Sequence, residues 1–289
     1  MNALSSAFRH SMLKFKPSSH RPPMQRHQEV ADRVDLSSPS RVSNSDYLDT
    51  KENDANRQAY YGDPQKYANL SPSEMFDELS SLVSGTHKPL DYKPDQYLYP
   101  EVDRHPDGEL YCIYSGEGPK YLGQASAQGA LKKGQYNCEH VVPQSWFEKK
   151  SEPRGDLHHL YTSLIECNSL RGNAQYDQRV SDGEAMLACG IASKEDNLFN
   201  PHAGHGETAR AVLYFMLRYP GKIGDKASEY GPSDLPMLLK WHKENPPTDY
   251  ERHRNQEIEE RQGNRNPLID FPEWADRIDF ARGLGKVAR

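Results

Sequence analysis

The stretch Asn137-Cys138-Glu139-His140-Val141-Val142-Pro143-Gln144-Ser145-Trp146 carries the chemistry on which the rest of the reading turns. Glu139 offers a hard oxygen ligand for a divalent cation, and His140 beside it offers a base of near-neutral pKa. Val141 and Val142 are β-branched and favour an extended strand, which Pro143 ends because it brings no N–H to a ladder. Neighbouring side chains on a strand point to opposite faces. Glu139 and His140 therefore share one site only where a turn or bulge re-aims one of them. Alone, a Glu-His pair is usually just solvated, so its meaning depends on the next segment.

That segment reads Arg154-Gly155-Asp156-Leu157-His158-His159-Leu160-Tyr161, then Glu166-Cys167-Asn168-Ser169-Leu170-Arg171-Gly172-Asn173. Its latter part fits a short helix, on which Asn168 and Arg171 share a face three residues apart. The Asn168 amide oxygen is a neutral ligand for a hard metal, and the Arg171 guanidinium can hold phosphate as a fork. Asp156 is expected to orient the residues around it. His158 and His159 lack the compact ligand spacing of structural zinc sites, and one is expected to be buried and the other exposed.

Further out, the chain has 289 residues, of which 35% are apolar, with 17 Tyr against 8 Phe. That is lean for a uniformly packed globule, so part of it is expected to be unfolded or loop-rich. Residues 1–57 are rich in Ser, Pro, Arg, Asp and Asn without a periodic apolar face. They are read as a flexible, disordered N-terminal tail preceding one domain over 58–289. Ser71 and Pro72 announce a helix through Met75, Phe76, Leu79, Leu82 and Val83, stopped by Gly85. Glu109–Ser115 predicts a short strand. Further helices are expected from Gly206 to Tyr219, from Leu235 to His242, and from Asp249 to Arg261 ahead of Gly263, the last with a mostly solvated charged face. No stretch approaches the ~20 apolar residues of a membrane helix, so no membrane partner is expected. No secretory signal is evident at the start, which leaves the cytoplasm or a non-Sec export route. The four cysteines form no C-x-x-C pair, and free thiols are favoured over two disulfides. Net charge is −6, but residues 119–180 hold a surplus of two positive charges, so bulk charge neither supports nor excludes a nucleic-acid partner.

The sequence resembles the endonuclease I family, within the ββα-metal (His-Me finger) nucleases. The resemblance is carried by Glu139 to Trp146, Gly155 to Leu160 and Asn168 to Asn173. It extends through His87 to Tyr92, Asp103, Tyr114 to Gly116, Ala209 to Ala211 and Gln262 to Asp270, in unbroken order. It implies an α+β fold, mostly a helical body around a ββα-metal finger. It also implies Mg²⁺, with Mn²⁺ able to substitute, held by Glu139 and Asn168, with His140 as general base. Double-stranded DNA is then the expected partner, with RNA as a further substrate and the protein a monomer. Family members commonly carry a longer insertion after the Trp146 position, including an arginine that stabilises phosphate; here Arg154 is the candidate, and Arg171 matches a second family position as either a phosphate contact or a structural residue. If the chain is a toxin, an inhibitor or immunity protein is implied. The alternative is a catalytically inactive nucleic-acid-binding or interaction module on the same fold. Trp146, Trp241 and Trp274 are read as core, and Arg265 as either a structural clamp or a phosphate contact. Residues 1–57 are expected to be dispensable, and the dense apolar segment 262–280 to be required.

Overall fold

Short polar caps set the helix starts. Asp49 opens helix α1 (Thr50–Tyr61) by accepting from the Lys51 and Glu52 N–H groups. Ser71 opens α2 (Pro72–Gly85) in a capping box with Glu74. Such caps satisfy N–H groups that the first turn leaves without a carbonyl. The computed structural model describes residues 47–286 apart from 148, 150, 181–183, 187 and 227. Residues 1–46 lie outside them, so the expected tail is described only from residue 47 onward.

Strand β1 (Tyr136–His140) pairs antiparallel with β2 (Leu160–Leu164), which runs straight into helix α3 (Ile165–Arg171). The register sets Glu139 opposite Tyr161 and His140 opposite Leu160. Next come β3 (Gln175–Tyr176), β4 (Glu184–Met186), β5 (Gly190–Ser193) and β6 (Leu198–Pro201), forming a four-stranded sheet in the order β3-β6-β5-β4. The chain closes with helices α4 (His205–Arg218), α5 (Leu235–Glu244) and α6 (Asp249–Gln262). The architecture is α+β, and among the described residues no helix is long and apolar enough to cross a membrane.

Helix α4 is the central strut: Gly206 and every residue from Thr208 to Leu217 are buried, and it packs against α2 and α5. Trp146, Trp241 and Trp274 are all core residues, as read from the sequence. Helix α6 ends at Gly263, whose φ of +80° admits glycine without strain.

Five sequence expectations change. Helix α6 is not a solvated rod: Glu251, Arg254, Asn255 and Gln262 are buried. Arg254 pairs with Asp103 and donates to the Leu157 and Leu160 carbonyls, and Glu251 takes Arg210 as a two-pronged partner at 2.6 and 2.7 Å. The helix reads as surface because its buried face is ionic. Glu109–Ser115 is no strand, since its backbone turns back on itself through Gly116 N to Cys112 O and touches β2 once, Ile113 N to Thr162 O. The tail boundary moves: α1 lies partly within 1–57, and Asn53 Oδ1 accepts from Arg265 at 2.7 Å. Tyr47 stacks on His253 at 4.2 Å. Cys167 and Cys189 form a disulfide that closes 22 residues, while Cys112 and Cys138 are free. Finally, His158 and His159 are both buried. Arg265 resolves as a structural clamp, bonded to Asp270 at 2.7 and 2.8 Å and to Glu259.

Asp156 ties these parts together. Its carboxylate accepts from Tyr214 at 2.9 Å, Tyr219 at 3.1 Å, Gln262 at 2.8 Å and the His158 N–H at 3.0 Å. Burial alone would raise its pKa; the imidazoles of His87, His158 and His159 and the Gln262 amide hold it well below the carboxylate range instead. Asp156→Asn is expected to cost about 2–3 kcal/mol at neutral pH, in the range of charged hydrogen bonds. A group whose pKa falls on folding stabilises above its unfolded value, ~3.9, and loses that contribution as pH drops toward the folded value. Thermal melts of parent and variant should therefore converge on acidification below about pH 5; a widening gap would contradict the assignment.

Candidate active site

Glu139 and His140 sit at the very end of β1, where the chain leaves the ladder, and this is how neighbouring residues come to serve one site. The Glu139 carboxylate turns to α3 and meets Arg171 Nη1 at 2.6 Å. Burial pushes its carboxyl up to about 7, against the opposing pull of Arg171.

Arg171 is itself fully buried and spends four donors. Nη1 bonds Glu139 and, at 2.9 Å, the His140 carbonyl; Nη2 bonds the Val141 carbonyl at 2.6 Å; Nε bonds the Ala174 carbonyl at 3.1 Å. That arrangement gives Arg171 a different task from the phosphate fork read from the sequence. It locks the end of β1 to α3. Three residues earlier on the same helix face, Asn168 donates through Nδ2 to Asn137 Oδ1 at 3.1 Å and to the Cys138 carbonyl at 3.3 Å. Among the described residues no donor meets its Oδ1.

His140 is fixed by the loop before β2. Its Nε2 lies 3.1 Å from the Arg154 carbonyl, which can only accept, so Nε2 carries the proton and Nδ1 carries the lone pair. The Gln144 amide donates to that Nδ1 at 3.3 Å. Burial, reinforced by His159 nearby, pushes the His140 imidazole down to about 3, so it is neutral at physiological pH. His159 donates Nε2–H to the Pro153 carbonyl at 2.6 Å. The ring of His159 sits 5.5 Å from that of His140. His158 is spent on the Asn264 carbonyl.

Arg154 is exposed, with its guanidinium 4.5 Å above the Tyr92 ring; that ring lies 5.1 Å from His140. Gly155 permits this approach: a Cβ there would stand 2.0 Å from the Leu90 carbonyl oxygen. Among the sequence-named residues, Glu139, Asn168 and Arg171 are joined by bonds to β1, and His140 and Arg154 by a second bond. Tyr92 and Gln144 had no role assigned from sequence. Gln144 was visible only as a polar residue just after the proline, and Tyr92 only within a longer matching string.

Among the described residues no three His, Cys, Asp or Glu side chains gather into a metal cluster. Glu139 and Asn168 instead offer one carboxylate and one amide oxygen. This donor set fits an ion such as Mg²⁺, which keeps several waters and binds through one or two protein oxygens plus substrate phosphate. It does not suit the nitrogen- and sulfur-rich tetrahedral shell of structural zinc.

Comparison with known proteins gives consistent matches. Residues 73–273 match the family Endonuclease I. An extracellular ribonuclease of Bacillus amyloliquefaciens is 31% identical over 240 residues, covering 78% of this chain and 79% of the relative. An extracellular ribonuclease of Bacillus subtilis (strain 168) is 32% identical over 241 residues, covering 76% and 80%. A periplasmic deoxyribonuclease of Aeromonas hydrophila is 26% identical over 186 residues, covering 55% and 76%.

The two arginines should separate experimentally. Arg171→Lys keeps the charge but loses the fork, so it is expected to lower the melting temperature and reduce kcat by up to about 10²-fold, the cost of a ~1 Å misplacement, with KM little changed. Arg154→Ala should leave the melt unchanged and raise KM. The reverse pattern in steady-state kinetics would exchange their roles.

Proposed function

From the premise that the chain belongs to the endonuclease I family of nucleic-acid hydrolases, we propose that it is a metal-dependent endonuclease of little sequence preference, cutting phosphodiester bonds in DNA and RNA. The observation that carries the mechanism is the tautomer of His140: Nε2–H is held by the Arg154 carbonyl, and the neutral imidazole keeps its lone pair on Nδ1, where the attacking water takes the place of the Gln144 amide. In this reading Nδ1 accepts a proton from water as the water oxygen attacks phosphorus and the bond to the 3′ oxygen breaks. A cation bound at Glu139 and Asn168 supplies Lewis-acid stabilisation of the charge on the phosphate and the departing oxygen. Arg171 favours the ionised form of Glu139 against the effect of burial and aims its carboxylate, and Arg154 contributes a solvent-facing positive charge to the phosphate beside His140.

Both substrate classes are proposed because the relatives include proteins named ribonuclease and deoxyribonuclease. A site that grips phosphate reads no base edges, and base edges are where sequence is encoded. The Cys167–Cys189 disulfide supports work in an oxidising compartment, reached by export, over the cytoplasm. We take the protein to act as a monomer, with an inhibitor partner only if it serves as a toxin.

Purified protein with Mg²⁺ should nick and then degrade supercoiled plasmid and also degrade RNA, and EDTA should abolish both activities. Undiminished cleavage in excess chelator would remove the metal from the scheme. His140→Ala should lower the rate by about 10²–10⁴-fold, the usual worth of a general base, while retaining Mn²⁺ binding by calorimetry. Glu139→Ala should lose both. Equal loss of Mn²⁺ affinity in the two variants would mean that base and ligand are wrongly divided.

A further inference from the structure

Tyr121 and Ile165 are the exposed large apolar side chains among the described residues, at 49% and 41% exposure. Single exposed apolar residues are unremarkable on a protein surface. The segments that carry these two, however, are joined through one residue: Gln135 donates through Nε2 to the carbonyl of Leu122, next to Tyr121, at 3.5 Å, and its own carbonyl accepts from the Ile165 N–H at 3.2 Å. Lys132 and Lys133, at the end of the short helix Ala127–Lys132, precede Gln135 directly, and Lys120 precedes Tyr121. All three lysines are exposed and none forms an ion pair among the described residues. Glu117 and Glu166 are the exposed carboxylates of the same segments, so three lysines against two glutamates leave these segments net positive by one in a chain of net charge −6.

We propose that Lys120, Tyr121, Lys132, Lys133 and Ile165 form a track for an unpaired nucleic-acid strand running away from the cleavage site, with Tyr121 as a stacking platform for a base. This rests on the nuclease reading above and adds to it where the flanking strand lies. An exposed aromatic among unpaired lysines suits single-stranded nucleic acid, because every base has a face to stack and every nucleotide a phosphate to neutralise. The track is tied to the site at both edges. Gln135 leads directly into β1, and Glu139 lies three residues beyond Tyr136, about 10 Å at ~3.3 Å per residue. Ile165 begins α3, and Asn168 lies about one turn further along it. A strand with ~3.4 Å rise per nucleotide covers the first interval in about three nucleotides. Stacking reads no base edges, so the track is compatible with cleavage of little sequence preference.

The test is fluorescence anisotropy of the full chain with a short labelled single-stranded oligonucleotide in EDTA, where cleavage is suppressed, paired with kinetics in Mg²⁺. Tyr121→Ala should weaken binding about 5- to 100-fold, the usual loss for one stacked base, and raise KM with kcat unchanged; Tyr121→Phe should restore both. Lys132→Gln with Lys133→Gln should reduce the slope of log affinity against log salt by about 1.4, two single-strand phosphate contacts. Affinity of Tyr121→Ala within about twofold of the parent, far short of a stacking loss, would overturn the track while leaving the nuclease reading intact. So would an equal loss on duplex of the same sequence. A parent chain that cleaves neither DNA nor RNA would overturn both.

Discussion

The buried guanidinium of Arg171 is the constraint on which the site depends. Taking a charge out of water costs several kcal/mol, recovered only when its donors are met by well-placed acceptors. Here one carboxylate and three backbone carbonyls meet it, drawn from the end of β1, the residue after it and the turn after α3. Because the acceptors lie on two elements, the contact fixes Glu139 relative to α3, and therefore relative to Asn168 one turn earlier. The same arginine grips the His140 carbonyl, so the oxygen donors and the imidazole share one anchor. Loops usually carry catalytic groups with latitude; this site removes that latitude with a single side chain.

The rest of the interior follows a related pattern. Arg171, Arg210, Arg254 and Arg265 are among the largest fully buried side chains, each paired with at least one carboxylate. Such pairs add little net stability over an apolar packing, but removing one partner strands a buried charge at a cost of about 3–5 kcal/mol. They select one arrangement of helices and penalise others. Asp156 does the same with neutral donors, joining the His158 turn to α4 and to the end of α6. The C-terminal segment joins this frame through Arg265 and through Asn264, which donates to the Val83 carbonyl and to Tyr214. The lean apolar content of the chain therefore reflects charge inside the fold.

This explains what the sequence disclosed and what it hid. Helix α2 was legible because Ser71, Pro72 and Glu74 state their roles locally, and α4 because its apolar run is long. Helix α6 was legible in its limits, through Asp249 and Gly263, yet not in its burial: Glu251 and Arg254 look like surface residues until Arg210 and Asp103 are brought to them. Arg171 stayed open between a phosphate contact and a structural role, since a fork that binds phosphate also binds backbone carbonyls, and its partners are visible only in the tertiary structure. The Cys167–Cys189 pair depends on β4 and β5 returning beside α3, which spacing alone does not encode. Glu139, His140 and Asn168 stood out because their chemistry is crowded into two short strings. Tyr92 and Gln144 reach His140 through packing, and no local pattern marks them.

The four-stranded sheet, the helical body and the disulfide can all be seen as support for one small ββα unit, in which a carboxylate, an amide and a neutral imidazole converge. The chain belongs to a family of nucleic-acid hydrolases, and the proposed role of His140 as base rests on its Nε2–H being held by the Arg154 carbonyl. The most direct measurement is anomalous diffraction from a crystal soaked in Mn²⁺. The expected peak lies against the Glu139 carboxylate and Asn168 Oδ1, with His140 Nδ1 uncoordinated. A peak ligated by His140 itself, or one found only at some other cluster, would contradict the division of roles between base and metal.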